Sequence, residues 1–137
     1  MQTSQTTSLL NTIYQNAQMG VDSTQRLIEL VEDKPFLSVL IAQRNRYDQV
    51  IQMADHELKG QKTIDKLSTN MMINFQTIKD KSPSHLAGMM VQGNTMGVID
   101  MTKALRQNAD ADAPVLSLGE RLLQMQRDNV EEMKTYL

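Results

Sequence analysis

The sequence predicts an all-α protein built mainly from two long helical hairpins, and three observations lead to this prediction. Hydrophobic residues recur at spacings of three and four, which is the period of a helix with one buried face. No segment alternates hydrophobic and polar residues with the period of two that is typical of strands. The three prolines, Pro35, Pro83 and Pro114, each lie at a boundary between predicted helices.

The first hairpin is predicted to pair helices at 5–32 and 35–60. Ser4 or Thr7 is expected to cap the first helix, and the tight turn between the two includes Pro35. A link this short forces the two helices to lie antiparallel. The predicted buried residues are Leu9, Leu10, Ile13, Ala17, Gly20, Val21, Thr24, Leu27, Ile28 and Val31, followed by Phe36, Leu40, Gln43, Tyr47, Val50, Ile51, Ala54 and Leu58.

The second hairpin is predicted to pair helices at 84–108 and 112–137. The segment Ser82-Pro-Ser84 is expected to break the chain and cap the first of these helices, and Asp112 is expected to cap the second. The predicted buried residues are Leu86, Met90, Asn94, Gly97, Val98, Met101, Ala104 and Leu105, followed by Val115, Leu118, Leu122, Met125, Met133 and Tyr136 or Leu137.

A further helical segment is predicted at about 62–80, between the two hairpins. At 1.5 Å per residue it is long enough to run back along the bundle. Two hairpins joined by such a crossover form the ferritin-like arrangement, and the alternative is an up-and-down array of five helices. In either case residues 1–137 are expected to form a single helical-bundle domain.

The composition excludes several classes of protein. Fourteen Lys and Arg against 16 Asp and Glu give a net charge of −2, which disfavours a nucleic-acid binder. There is no cysteine, so a cysteine nucleophile and a disulfide framework are excluded. We find no signal peptide and no membrane-spanning run, and therefore expect a cytoplasmic protein. The eleven methionines lack a dense cluster, which favours a Met-rich core over copper binding.

The most informative pattern is a set of polar residues on the predicted hydrophobic faces, near the middle of the helices. Asn94, Gln126 and Asn129 lie there in the second hairpin. If the hairpin loops lie at opposite ends, the same level meets further polar residues of the first hairpin. The complete predicted layer is Thr24, Gln43, Arg44, Tyr47, Asn94, Gln126 and Asn129.

This layer lies where ferritin-like proteins hold two irons with glutamates and Glu-x-x-His pairs. In this sequence Thr24 and Asn94 occupy the positions of the single glutamates. Pairs of Gln, Arg, Tyr and Asn residues occupy the positions of the Glu-x-x-His pairs. An arginine at this level, Arg44 or Arg46, would repel iron. We therefore expect no metal and no cofactor, with the amides serving as a structural network or, alternatively, binding a ligand.

Two further features concern glycine and histidine. Gly93 and Gly97 flank the hydrophobic face of their helix, which indicates close packing against the crossover segment or a dimer interface, with a ligand slot as the alternative. His56 and His85 project to the polar sides of their helices and have no carboxylate at metal-binding spacing, so we expect solvated side chains.

The stretch from Ser82 to Asp100, SPSHLAGMMVQGNTMGVID, followed by the last helix, resembles small uncharacterised bacterial proteins with a ferritin-like four-helix bundle. These proteins occur mainly in Gram-positive genomes. The resemblance covers most of the chain and is specific over residues 82–105. It implies a bundle in a cytoplasmic bacterial setting, and it carries over no activity.

Two functions agree with these observations. The first is a non-catalytic helical scaffold or interaction module, with a homodimer or a protein partner and neither nucleic acid nor membrane. The alternative is a metal-binding or small-ligand-binding protein of the ferritin-like kind with a degenerate or relocated site, using Met, His56 or His85. No candidate catalytic residue emerges, because the only carboxylate near a core face is Asp100.

Overall fold

The computed structural model describes residues 3–58 and 78–137, and these two ranges contain four long α-helices. Their order is α1 (Ser4–Leu30), α2 (Lys34–Leu58), α3 (Pro83–Gln107) and α4 (Ala113–Lys134). Every boundary lies within three residues of its predicted position. The helical period and the prolines were therefore sufficient to locate the four elements.

Hydrogen bonds at the helix ends show why the helices begin where they do. The Thr3 hydroxyl accepts from the Thr6 amide at 3.1 Å, so the cap lies one residue before the predicted Ser4. The Asp33 carboxylate accepts from the Phe36 amide at 2.9 Å, and α2 consequently begins one residue before its proline. Ser82 caps α3 as predicted, whereas the Asp112 side chain makes no capping hydrogen bond to α4.

The four helices form a bundle of two antiparallel hairpins, α1 with α2 and α3 with α4. The Asp112 amide donates to the Thr6 hydroxyl at 2.8 Å, which places the turn between α3 and α4 beside the start of α1. At the other end, the rings of Phe36 and Tyr136 meet edge to face with centroids 4.9 Å apart. Thus α1 and α4 run in one direction, α2 and α3 run in the other, and the hairpin loops lie at opposite ends.

Two buried hydrophobic clusters occupy the two ends of the bundle. The lower cluster surrounds the start of α1, and the upper cluster surrounds the turn between α1 and α2. Members of the lower cluster include Leu9, Leu10, Ile13, Tyr47, Leu58, Met101, Val115 and Leu122. The upper cluster consists of Leu27, Phe36, Leu40, Leu86, Ala87, Met90 and Met133. The region between them contains most of the buried polar residues.

The predicted crossover helix at 62–80 lies largely outside the described residues. Of this segment the structure describes 78–80, which are not helical, and Ile78 packs against the upper cluster. Leu58 belongs to the lower cluster and Leu86 to the upper one, so α2 ends and α3 begins at opposite ends of the bundle. Within the described ranges, no helix is long and hydrophobic enough to cross a membrane.

Candidate functional site

A layer of buried polar side chains separates the two hydrophobic clusters. Six of the seven residues predicted for it are at most 3% exposed: Thr24, Gln43, Tyr47, Asn94, Gln126 and Asn129. Buried polar groups are unfavourable unless they form hydrogen bonds. The bonds within this layer therefore decide what it can do.

Tyr47 and Asn94 form the centre of the layer. The Tyr47 hydroxyl donates to Asn94 Oδ1, which also accepts a longer bond of 3.4 Å from Asn129 Nδ2. Asn94 Nδ2 in turn donates to the Met90 carbonyl at 2.8 Å. The Tyr47 ring lies directly on Gly20 of α1. Tyr47 of α2 thus bonds to Asn94 of α3 and packs on Gly20 of α1, and Asn94 in turn accepts from Asn129 of α4.

Burial changes the acidity of this tyrosine. It raises the pKa of Tyr47 from its ordinary value near 10 to about 12, because the interior disfavours the phenolate. Hydrogen bonds from Gln126 and Asn129 act in the opposite direction, and their effect is smaller. At physiological pH the hydroxyl therefore stays protonated and acts as the donor to Asn94.

A second group of amides lies next to this centre, between α1, α3 and α4. Asn16 Nδ2 donates to the Gly97 carbonyl at 3.2 Å, and Gln126 Nε2 donates to Asn16 Oδ1 at 3.2 Å. Asn16 is 9% exposed, and it was not among the residues predicted for the layer. Its position three residues after Ile13 and four before Gly20 was the available signal, since both of those residues were assigned to the buried face.

The layer reaches the surface between α2 and α4. The Arg46 guanidinium donates to Asn129 Oδ1 at 3.2 Å and to Glu132 Oε1 at 3.3 Å. The same Glu132 oxygen accepts from Gln43 Nε2 at 2.9 Å. The Arg46 and Glu132 side chains are 43% and 37% exposed, so this ion pair covers the edge of the layer rather than its interior.

Two acceptors in the layer find no donor among the described residues. These are Oε1 of Gln43 and Oε1 of Gln126, which belong to side chains that are 0% and 1% exposed. A buried acceptor without a donor costs about 1–3 kcal/mol relative to a satisfied one. The layer therefore contains unused hydrogen-bonding capacity at two positions.

Arg44 and Thr24 differ from the predicted layer. Arg44 is half-buried and bonds within the first hairpin, where its guanidinium donates to Gln25 Oε1 at 2.7 Å. It follows Gln43 in the helix and therefore points about 100° away from it. Thr24 is buried, but its hydroxyl donates to the Gly20 carbonyl of its own helix at 2.8 Å. The α1 residue level with Tyr47 is Gly20, one turn earlier than predicted.

The two glycines of α3 have different surroundings. A Cβ at Gly97 would lie 2.9 Å from Gln126 Cδ and 3.0 Å from Asn16 Oδ1, so this position packs closely against α4 and α1. A Cβ at Gly93 would have no atom of the described residues within 4 Å. Gly93 is half-buried, and the crossover segment that was expected to pack against it lies largely outside the described residues, so close packing of Gly93 within the chain stays a prediction. A dimer interface at Gly93 stays a prediction.

The remaining candidate groups lie at the surface. His56 and His85 are both exposed. No cluster of three or more His, Cys, Asp or Glu suited to a metal occurs in residues 3–58 and 78–137. A groove of about 390 Å³ between α2 and α4 includes His56, Ser117 and Arg121. A second groove, of about 370 Å³ between α1 and α3, reaches Asn16.

Comparison with known proteins identifies no relative. No protein-family model, curated protein or solved structure matches the sequence. The established description is therefore a four-helix, all-α bundle of two antiparallel hairpins.

Proposed function

We propose that this protein is a non-catalytic helical scaffold or interaction module built on a ferritin-like bundle without a di-iron site. The observation that carries the proposal is the hydrogen-bonded contact of Tyr47, Asn94 and Asn129 at the middle of the bundle. In a di-iron protein this level is occupied by carboxylates and imidazoles. Here a tyrosine and two amides fill it and bond to one another.

The direction of the helices supports the ferritin-like part of the proposal. In that architecture the second and third long helices run parallel, because the connection between them traverses the length of the bundle. The same relation holds here, since α2 ends in the lower cluster and α3 begins in the upper one. The resemblance of residues 82–105 to small bacterial proteins of this kind agrees with this topology.

A structural role of the layer is supported by what its residues contact. Each of Tyr47, Asn94 and Asn129 is bonded to a partner on another helix. Such buried networks fix one register between helices, because any slip would leave several polar groups unpaired. In this proposal the core defines a rigid shape, and partners or a second copy bind to the outer faces.

The alternative is a protein that binds a metal or a small ligand at a degenerate or relocated site. The observation that favours it is the pair of buried oxygens without donors, Gln43 Oε1 and Gln126 Oε1. Within residues 3–58 and 78–137, these are buried acceptors inside the polar layer that a bound molecule could satisfy.

Metal content and thermal stability distinguish the two functions. We expect protein purified without chelator to contain less than a stoichiometric amount of iron, manganese or copper. Its midpoint of thermal unfolding should not change when these metals are added, since a specific ligand raises this midpoint. Stoichiometric metal, or a rise on metal addition that chelator reverses, would support the alternative.

The homodimer is tested separately by the mass in solution. Sedimentation equilibrium over a range of protein concentrations measures it directly. A mass that rises towards twice 15.5 kDa supports self-association, whereas a strictly monomeric protein at high concentration removes the dimer.

A further inference from the structure

The thioether of Met125 connects a solvent-open groove to the buried polar layer. We propose that Met125 is a modification site, at which a peroxide transfers one oxygen atom to the sulfur and thereby removes a hydrogen bond from Asn129. The inference goes beyond the scaffold role and does not depend on it, because it concerns the chemistry of one side chain whatever the partners of the bundle are.

Met125 is half-buried, and its side chain has different surroundings on its two sides. On the inner side it packs against the lower cluster, and its sulfur accepts from Asn129 Nδ2 at 3.3 Å. On the outer side it lines a groove of about 570 Å³ between α2 and α4. A small oxidant that enters this groove therefore reaches a side chain that is bonded to the layer.

Asn129 carries the effect of a change at this sulfur into the layer. Its side chain is 0% exposed, and its Oδ1 accepts from the Arg46 guanidinium at 3.2 Å. Its Nδ2 donates to the Met125 sulfur and, over a longer distance of 3.4 Å, to Asn94 Oδ1. Asn94 also accepts from the Tyr47 hydroxyl. The sulfur is therefore two hydrogen bonds away from the centre of the layer.

Oxygen transfer from hydrogen peroxide to the thioether is a balanced two-electron step. A lone pair of the sulfur attacks one peroxide oxygen, so that an S–O bond forms and the O–O bond breaks. The departing hydroxide takes up the proton of the transferred oxygen and leaves as water. The sulfur is oxidised to the sulfoxide, and the peroxide is reduced.

The Asn129 amide determines which side of the sulfur is attacked. A thioether sulfur has two lone pairs, and the one that accepts from Nδ2 is shielded by the amide. The other is open to a peroxide that approaches through the groove, so the added oxygen lies on the groove side. The sulfur then becomes the positive end of the S–O dipole and is a poor acceptor. Asn129 Nδ2 consequently keeps only its longer bond to Asn94.

Other methionines of the same chain provide internal comparisons. Met96 is 51% exposed on the outer side of α3 and does not belong to the polar layer. Its sulfur is open to attack from both sides, and its oxidation should leave the layer unchanged. Met101 and Met133 are 0% exposed and should react last.

Treatment of the intact protein with hydrogen peroxide, followed by mass spectrometry of its peptides, tests the site. We expect Met125 to be oxidised well before Met101 and Met133. The two methionine sulfoxide reductases each reduce one epimer of the sulfoxide. One of them should repair nearly all of the oxidised Met125 peptide and the other almost none, whereas each should repair about half of the oxidised Met96 peptide. Oxidation of Met125 as slow as that of Met101, or equal amounts of both epimers at Met125, would overturn the proposal.

Urea unfolding of oxidised and untreated protein measures the consequence for the layer, at a peroxide exposure that leaves Met101 and Met133 unmodified. Loss of the Asn129 bond should raise the equilibrium constant for unfolding about tenfold. Met125→Leu has a similar volume and no sulfur, so peroxide should leave its unfolding constant nearly unchanged. Met96→Leu is the matched control and should respond to peroxide as the parent protein does. Equal destabilisation of oxidised Met125→Leu and oxidised parent protein would refute the link to the layer and leave the scaffold proposal unaffected.

Discussion

Gly20 offers the sharpest test of how the centre of the bundle is packed. A Cβ added at this position would lie less than 3.0 Å from three atoms of the Tyr47 ring, a distance that real Cβ atoms essentially never show. The ring has little room to move, because Tyr47 is 3% exposed and its hydroxyl bonds to Asn94. Gly20→Ala should therefore disrupt the contact between α1 and α2.

Two opposing effects determine the size of the change. Alanine in place of glycine within a helix stabilises it by about 1 kcal/mol. Overpacking a well-filled core typically costs about 1–3 kcal/mol. Since three atoms of a rigid ring are involved, we place Gly20→Ala at the upper end of this range. The expected net loss in the free energy of unfolding is about 2 kcal/mol.

Gly93→Ala is the matched control for this substitution. It gains the same helix propensity, but no atom of the described residues lies within 4 Å of the new methyl group. We expect it to stabilise the protein by about 0.5–1 kcal/mol. Urea unfolding followed by circular dichroism measures both free energies. A Gly20→Ala protein as stable as Gly93→Ala would refute the packing described for Tyr47.

Three further predictions concern the same layer and the lower end of the bundle. Gly97→Ala should lower the free energy of unfolding by about 1 kcal/mol in urea titrations, because the new methyl group displaces the buried Gln126 amide. Unchanged stability would show that this amide is free to move. Stability should also fall as the pH rises from 10 to about 12, because the unfolded chain releases the Tyr47 proton before the folded one does. Tyr47→Phe should lack this part of the loss in urea titrations between pH 8 and 12, and identical profiles would contradict the burial of the hydroxyl. Thr6→Val should lower the free energy of unfolding by about 1–3 kcal/mol in the same assay, because it leaves the Asp112 amide without its acceptor. Thr102→Val should have little effect, because the Thr102 hydroxyl bonds only to its own helix.

Much of the fold was predictable because local rules govern helices. Hydrophobic spacing and capping residues determine where a helix lies, and both are visible in the sequence. The same projection placed Tyr47, Asn94 and Asn129 on the buried face, since a residue's side of a helix depends only on its position. These features require no knowledge of which helices meet.

The details of the candidate site depended on information that the sequence does not contain. The level at which two helices meet is set by packing, and the prediction placed α1 one turn out of register, at Thr24 instead of Gly20. The spacing of Asn16 to Ile13 and Gly20 could have placed it on the buried face, but nothing in the sequence indicates its partner 81 positions away. Arg46 lies on the exposed side of its helix. It contacts the layer only because its long side chain reaches Asn129.

The central claim is that the middle of the bundle is closed by hydrogen bonds between its own tyrosine and amides. A double-mutant cycle with Tyr47→Phe and Asn94→Leu, measured as free energies of unfolding, tests it most directly. We predict a coupling energy of at least about 1 kcal/mol, because each substitution removes the same bond. Effects that add within about 0.3 kcal/mol would show that the two side chains do not interact and would contradict the claim.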